Sequence, residues 1–128
     1  MRRSSMGTGG VMYRSDVAVT VFLNAPEEYD GGELVIRAAA GEQAVKSAAG
    51  DAVLYPAGSI HHVNPVTRGE RLVAVTWVQS LVRDAARREL LYGLNAARAK
   101  LLQSAPGAEE TAQVNAACLN LIRMWSDI

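Results

Sequence analysis

Both histidines of this chain stand side by side, His61 and His62, in the stretch SIHHVNPVTRGER, and Arg71 follows the first of them by ten positions. A neutral imidazole nitrogen is a common metal ligand. A guanidinium can grip a carboxylate through two parallel hydrogen bonds. Arg71 opens an apolar stretch, RLVAVTWVQS, where a charge is costly unless something satisfies it. Together His61 and Arg71 fit a site that holds a metal beside a dicarboxylic acid. A plainer reading stands next to it, with a histidine hydrogen-bonded in a turn and a strand-end arginine reaching water. In either case the two histidines must part company. Successive side chains of an extended backbone leave opposite faces, so one of them points at a given metal and the other points away.

The elements that must position these residues are legible in the periodicity. DVAVTVFL (16–23), ELVIRA (33–38), the alternating EQAVKSA (42–48), an apolar strand within AGDAVLYPAG (49–58), HHV (61–63) and the long RLVAVTWVQS (71–80) read as strands. NAPEEYDGG (24–32) and PVTRGE (65–70) read as turns between them. Turn signals about every ten residues predict an antiparallel sandwich or barrel. After Ser80 the period changes. Leu81, Ala85, Leu90, Leu91, Leu94, Ala97, Leu101 and Leu102 recur at helical spacing, until Pro106 and Gly107 stop the helix. A second helix runs from about Glu109 to Trp125, with Val114, Cys118, Leu121, Ile122 and Trp125 near one face. The class is α+β and mainly β, strands first and then two helices expected to pack on the outside of the sheet. The expected division is a flexible 1–10, a β core over 11–80 and a helical extension over 81–128.

Composition narrows the function classes. Thirteen basic and thirteen acidic residues cancel, so no strong field favours nucleic acid or an anionic membrane. No apolar run is long enough to span a bilayer. A single cysteine, Cys118, forms no internal disulfide and fits a reducing compartment, so a cytoplasmic location is expected. Other candidate sites have simpler explanations. Asp30 and Glu33 suit a turn and a strand start better than a catalytic carboxylate pair. GTGG at 7–10 lacks the strand-to-helix context of a phosphate loop. Arg83, Arg87 and Arg88 suit a solvated helical face paired with Asp84 and Glu89. Trp77 suits the core or a pocket wall, and Cys118 inert helix packing.

Two resemblances bear on the metal. Gly50, Pro56, Gly58 and His61 are spaced as in the second motif of cupins, with Asn64 one position early. More extensively, RSDVAVTVFLNAPEEYDGGELVI, GDAVLYPAGSIHHVNPVTRGERLVAVTWVQSLVRD and LNLIRMW resemble the PKHD-type hydroxylases, Fe(II)- and 2-oxoglutarate-dependent dioxygenases related to prolyl hydroxylases. That resemblance runs from about residue 12 to the C-terminus. It implies a partial double-stranded β-helix (jelly-roll) followed by two C-terminal helices. His61 then matches the family's distal iron ligand and Arg71 the residue that binds the far carboxylate of 2-oxoglutarate, while His62 falls at a variable position. The implied chemistry consumes 2-oxoglutarate and O2, releases succinate and CO2, and hydroxylates a second, unknown substrate, with ascorbate as reductant.

The departures from the family are specific. Its iron site also needs a His-x-Asp upstream of the Asp16 strand, and this chain has no third histidine. Asp16 matches a different family position and is not a ligand candidate. Near the C-terminus Cys118 and Leu119 replace a Tyr-His pair. The expectation is therefore the C-terminal portion of a longer hydroxylase, inactive as written, whose truncated sheet leaves apolar edges that favour a homo-oligomer. The alternatives are a degenerate, non-catalytic β-helix domain that binds a small acid or a protein, and a cupin-like metal-binding module.

Overall fold

Alternating burial marks the strand around which the first unit is built. In β1 (Val17–Phe22) Ala18, Thr20 and Phe22 are buried, while the intervening valines are half-buried. The computed structural model describes residues 13–127. Among these, seven more strands follow: β2 (Tyr29–Gly31), β3 (Leu34–Ala38), β4 (Gly41–Val45), β5 (Ala52–Pro56), β6 (His61–Val63), β7 (Val66–Gly69) and β8 (Val73–Val78). The helices α1 (Ala85–Ser104) and α2 (Glu109–Trp125) come last. The chain divides into two compact units, one ending at Gln79 and the other beginning at Ser80. The flexible segment expected over 1–10, with GTGG, lies outside the described residues.

All strand pairings are antiparallel, in three small sheets of order β5-β1-β8, β2-β7 and β4-β3-β6. The arrangement is α+β and jelly-roll-like, strands first and helices after. Register sets Ala18 opposite both Tyr55 and Trp77, so the three share one face of the first sheet. Ala18 and Tyr55 then pack with Leu34 and Ile36 of β3, and Val45, Val53 and Ala57 flank that cluster. Burying a side chain of Leu or Ile size contributes roughly 1.5–3 kcal/mol, and this cluster binds the two three-stranded sheets into one core.

Several expectations need correction. PVTRGE is not only a turn: its Val66–Gly69 pairs with Tyr29–Gly31, which falls inside the other stretch read as a turn. A short 3-10 turn, Pro26–Glu28, precedes that pairing. Neither strand shows period-two hydrophobicity, because both are short and largely polar. β4 is an edge strand, and its side chains are exposed up to Val45 rather than alternating. Trp77 is not core. β8 is the edge of its sheet, and the indole remains 37% exposed.

In the second unit Asp84 caps α1 by accepting from the Ala86 and Arg87 amides at 2.8 and 3.2 Å, so helix begins after Leu81. α2 buries Cys118 and Thr111, while Leu90, Leu102 and Ile122 stay exposed. The three arginines do not pair with Asp84 and Glu89. Arg83 pairs with Asp127 at 3.3 Å, Arg87 lies over the Trp125 ring, and Arg88 donates to the Val82 and Arg83 carbonyls.

The β2–β7 ribbon is clamped by charge. Arg68 donates from Nε and Nη2 to both oxygens of Asp30, at 2.8 and 3.0 Å, and also to the Glu27 carbonyl. The Arg68 hydrogen bond holds the Asp30 carboxyl below its ordinary value of 3.8. A depressed aspartate stabilises the fold above its unfolded pKa, and loses that contribution as pH falls through the folded one. Arg68→Gln is therefore expected to melt at a lower temperature than the wild type at neutral pH. The two curves should converge once the pH falls below the ordinary aspartate range. Thermal melts across that range test it, and a pH-independent difference would show that the clamp is not electrostatic.

Candidate functional site

β6 is the edge strand that carries the histidines, and its register with β3 sets Ile36 opposite His61 and Val35 opposite His62. His61 thus shares the face of the core residues Ile36 and Leu34. Its ring meets Tyr55 edge-on, with centroids 5.0 Å apart. His61 Nδ1 lies 2.8 Å from the Ser59 carbonyl oxygen. A carbonyl can only accept, so Nδ1 carries the proton and Nε2 keeps its lone pair. That is the tautomer a metal-binding histidine needs, held by the kind of backbone contact that orients such ligands. A cavity of about 440 Å³ opens beside it, and Ile36, Tyr55 and Ser59 line both.

His62 is tied to the other face. Its Nε2 lies 3.1 Å from Asn64 Oδ1, and Asn64 donates from Nδ2 to Glu33 at 3.2 Å. With the amide so oriented, Oδ1 accepts and His62 Nε2 is the protonated nitrogen. Glu33 is in turn held below the usual carboxylate range, first by its own backbone N–H and then by Asn64. Glu33 and Asp30 are each committed to a structural partner, Asp30 from within β2 and not from the turn expected for it.

Arg71 sits between two backbone anchors. Asn24 donates from Nδ2 to the Glu70 carbonyl at 2.8 Å and accepts at Oδ1 from the Leu72 amide at 3.0 Å. One carboxamide therefore brackets the arginine. Arg71 is half-buried, and its Nε is fully buried with no hydrogen-bond partner among the described residues. Tyr29 Oη is in the same condition. The two side chains meet at Gly32, where a Cβ would lie 3.0 Å from Tyr29 Cε2 and 3.1 Å from Arg71 Cδ. A left-handed φ of +70° also favours glycine there. Neighbouring Gly31 has φ +72°, and a Cβ on it would collide with the Pro65 carbonyl oxygen.

An unpartnered guanidinium nitrogen suits an anion. A buried guanidinium nitrogen and a buried phenol without partners among the described residues are costly, by about 1–3 kcal/mol each. The metal set is another matter. Among the described residues no three His, Cys, Asp or Glu side chains gather closely enough to hold an ion. Asp16 is paired with Arg14 at 2.9 Å and is no substitute ligand. Among the described residues, His61 alone is left as a candidate metal ligand, and an iron site would need further ligands beside it.

Residues 8–79 match the family model described as the 2OG-Fe(II) oxygenase superfamily. The chain belongs to that superfamily. It is 51% identical over 118 residues to a PKHD-type hydroxylase of Burkholderia ambifaria, covering 92% of this chain and 52% of the relative. A PKHD-type hydroxylase of Synechococcus is 45% identical over 117 residues, covering 91% and 52%. One of Xanthomonas axonopodis pv. citri is 46% identical over 120 residues, covering 94% and 53%. The chain thus spans about half the length of the curated relatives it matches. No helix among the described residues is long and apolar enough to cross a membrane.

Sequence reasoning did not find Asn24 or Tyr29, which contact the site from a stretch read as a turn. The Gly31-Gly32 pair before a strand was the available signal, since glycine there marks a close backbone approach. The two imidazoles should differ in tautomer. Long-range nitrogen–proton correlation spectra of the neutral rings are expected to show Nδ1–H for His61 and Nε2–H for His62. Finding Nε2–H for His61 would remove its lone pair from the candidate metal position.

Proposed function

We propose that this chain is the cosubstrate-binding portion of an Fe(II)- and 2-oxoglutarate-dependent hydroxylase. The observation that carries the reading is the buried Nε of Arg71, without a hydrogen-bond partner among the described residues. In this reading the 11–80 region is the oxygenase core and 81–128 a helical extension. Arg71 grips the far carboxylate of 2-oxoglutarate side-on, through Nε and one terminal nitrogen, the planar fork that a carboxylate matches. Burial strengthens the contact, because water competes less for each charge. Asn24 fixes the backbone on both sides of that grip, so the guanidinium is placed before the ligand arrives.

His61 supplies one iron ligand through Nε2. Iron of this class is held by two histidines and one carboxylate, leaving positions open for substrate. When complete, such a site supplies O2 activation coupled to decarboxylation of 2-oxoglutarate, with ascorbate as reductant. These 128 residues hold one of the three ligands, so the chain by itself is read as binding the cosubstrate without oxidising anything. In a second reading the same arginine serves a non-catalytic acid-binding domain, since an unpartnered guanidinium nitrogen asks only for an anion. The one cysteine, buried and unpaired, supports a cytoplasmic setting for either.

Calorimetric titration with 2-oxoglutarate tests the reading. Charge-assisted hydrogen bonds contribute about 1.5–3 kcal/mol each, so Arg71→Gln is expected to weaken binding by about ten- to a hundredfold. Arg71→Lys should recover only part of it, for lack of the planar fork. Equal affinity in wild type and Arg71→Gln would sink the assignment. Succinate release by the isolated chain with Fe(II) would contradict the incomplete ligand set.

A further inference from the structure

Three stations lie in order along β3. Just before it Gly32 meets the stem of Arg71, in its middle Ile36 stands opposite His61, and at its end residues 36–39 border the cavity of about 440 Å³. A dicarboxylate held by Arg71 and reaching for His61 leaves that cavity free. Register decides which side chains face it. Ile36 has Gln43 opposite it on one side and His61 on the other, so the three form one row across the same face of β4, β3 and β6. Adjacent strands lie about 4.8 Å apart, which sets the ends of the row roughly 10 Å from each other. Val45, opposite Leu34, shares this face, and Val53 and Tyr55 of β5 pack towards it. The one cation among the lining residues is turned away. Arg37 alternates with Ile36 and pairs on the opposite face with Glu42, at 3.5 Å.

The cavity is therefore faced by uncharged and mostly aliphatic side chains, with one carboxamide, the exposed Gln43, among them. Its volume is that of a small-ligand site. Aliphatic walls favour an apolar body, and an uncharged lining offers a buried charge no partner. Gln43 presents donors and an acceptor side by side, a pattern that another amide matches with its own. We propose that this cavity holds the second substrate, and that the substrate presents an uncharged aliphatic group joined to an amide. The amide pairs with Gln43, which makes Gln43 a specificity-determining residue. The aliphatic end then lies over Ile36, directed along the row towards His61. Assigning the cavity to a second substrate rests on the reading of Arg71 given above.

The test uses the full chain without metal and isovaleramide as probe. Acetamide lacks its branched chain, isovalerate carries a carboxylate in place of the amide, and 2-oxoglutarate reports on Arg71. In nitrogen–proton correlation spectra isovaleramide is expected to shift the Gln43 side-chain signals and the Val53 and Tyr55 backbone signals to saturation. Acetamide should leave them in place, and isovalerate should bind there several-fold more weakly. Gln43→Leu is expected to weaken isovaleramide about fivefold, the loss typical of one neutral hydrogen bond. Ala38→Trp, which fills the cavity from an exposed position at the end of β3, should abolish its binding. Both variants should bind 2-oxoglutarate as the wild type does. Absence of saturable isovaleramide binding, or undiminished binding in Ala38→Trp, would overturn the proposal while leaving the arginine assignment intact. Isovalerate binding as tightly as isovaleramide would overturn the uncharged class. Isovaleramide binding by a wild type that does not bind 2-oxoglutarate would overturn the second-substrate role together with the reading of Arg71.

Discussion

Arg71 is held by hydrogen bonds to the backbone on either side of it, and the candidate pocket depends on that constraint. A long cationic side chain has many rotamers to lose, so anchoring its backbone limits how far the guanidinium can stray. Asn24 provides the anchor from 46 and 48 residues away in sequence. It stands just past the end of β1, so the central strand of the first sheet is tied directly to the segment that carries the arginine. The β2–β7 ribbon just before Arg71 is clamped by Asp30 and Arg68, and Gly31 and Gly69 in left-handed conformation let its strands approach closely.

The histidine is governed by a simpler rule. β6 is only three residues long, but its pairing with β3 commits His61 to the core face and His62 to the opposite one. A shift of one residue would exchange them. The hydrogen bonds reinforce the assignment, since Ser59 holds the first ring and Asn64 the second. Position and tautomer therefore agree: the histidine on the interior face is the one with a free Nε2.

Much of this was legible in the order of residues. Strands at 17–22, 34–38 and 73–78 and the helix at 109–125 emerge from pattern alone, because apolar, largely β-branched runs and helical spacing each mark their element. The opposite facing of His61 and His62 follows from strand geometry, and the incomplete iron set from counting histidines. What pattern did not disclose was the β2–β7 ribbon, whose strands carry polar and turn-forming residues and are stabilised by a partner almost forty positions away. For the same reason the exposure of Trp77 was not foreseeable: a strand's hydrophobicity does not say whether it lies at the centre or the edge of its sheet.

The sequence by itself determined the chemistry on offer, two adjacent histidines facing opposite ways and one arginine at an apolar strand start, because those are matters of residue type and alternation. Tertiary structure decided which groups pack together. It brought Tyr29, Gly32 and Arg71 together from two stretches that read locally as turns and strand ends, and it left a phenol and a guanidinium nitrogen buried without partners among the described residues. Such a juxtaposition depends on long-range pairing and close packing, which no local spacing encodes.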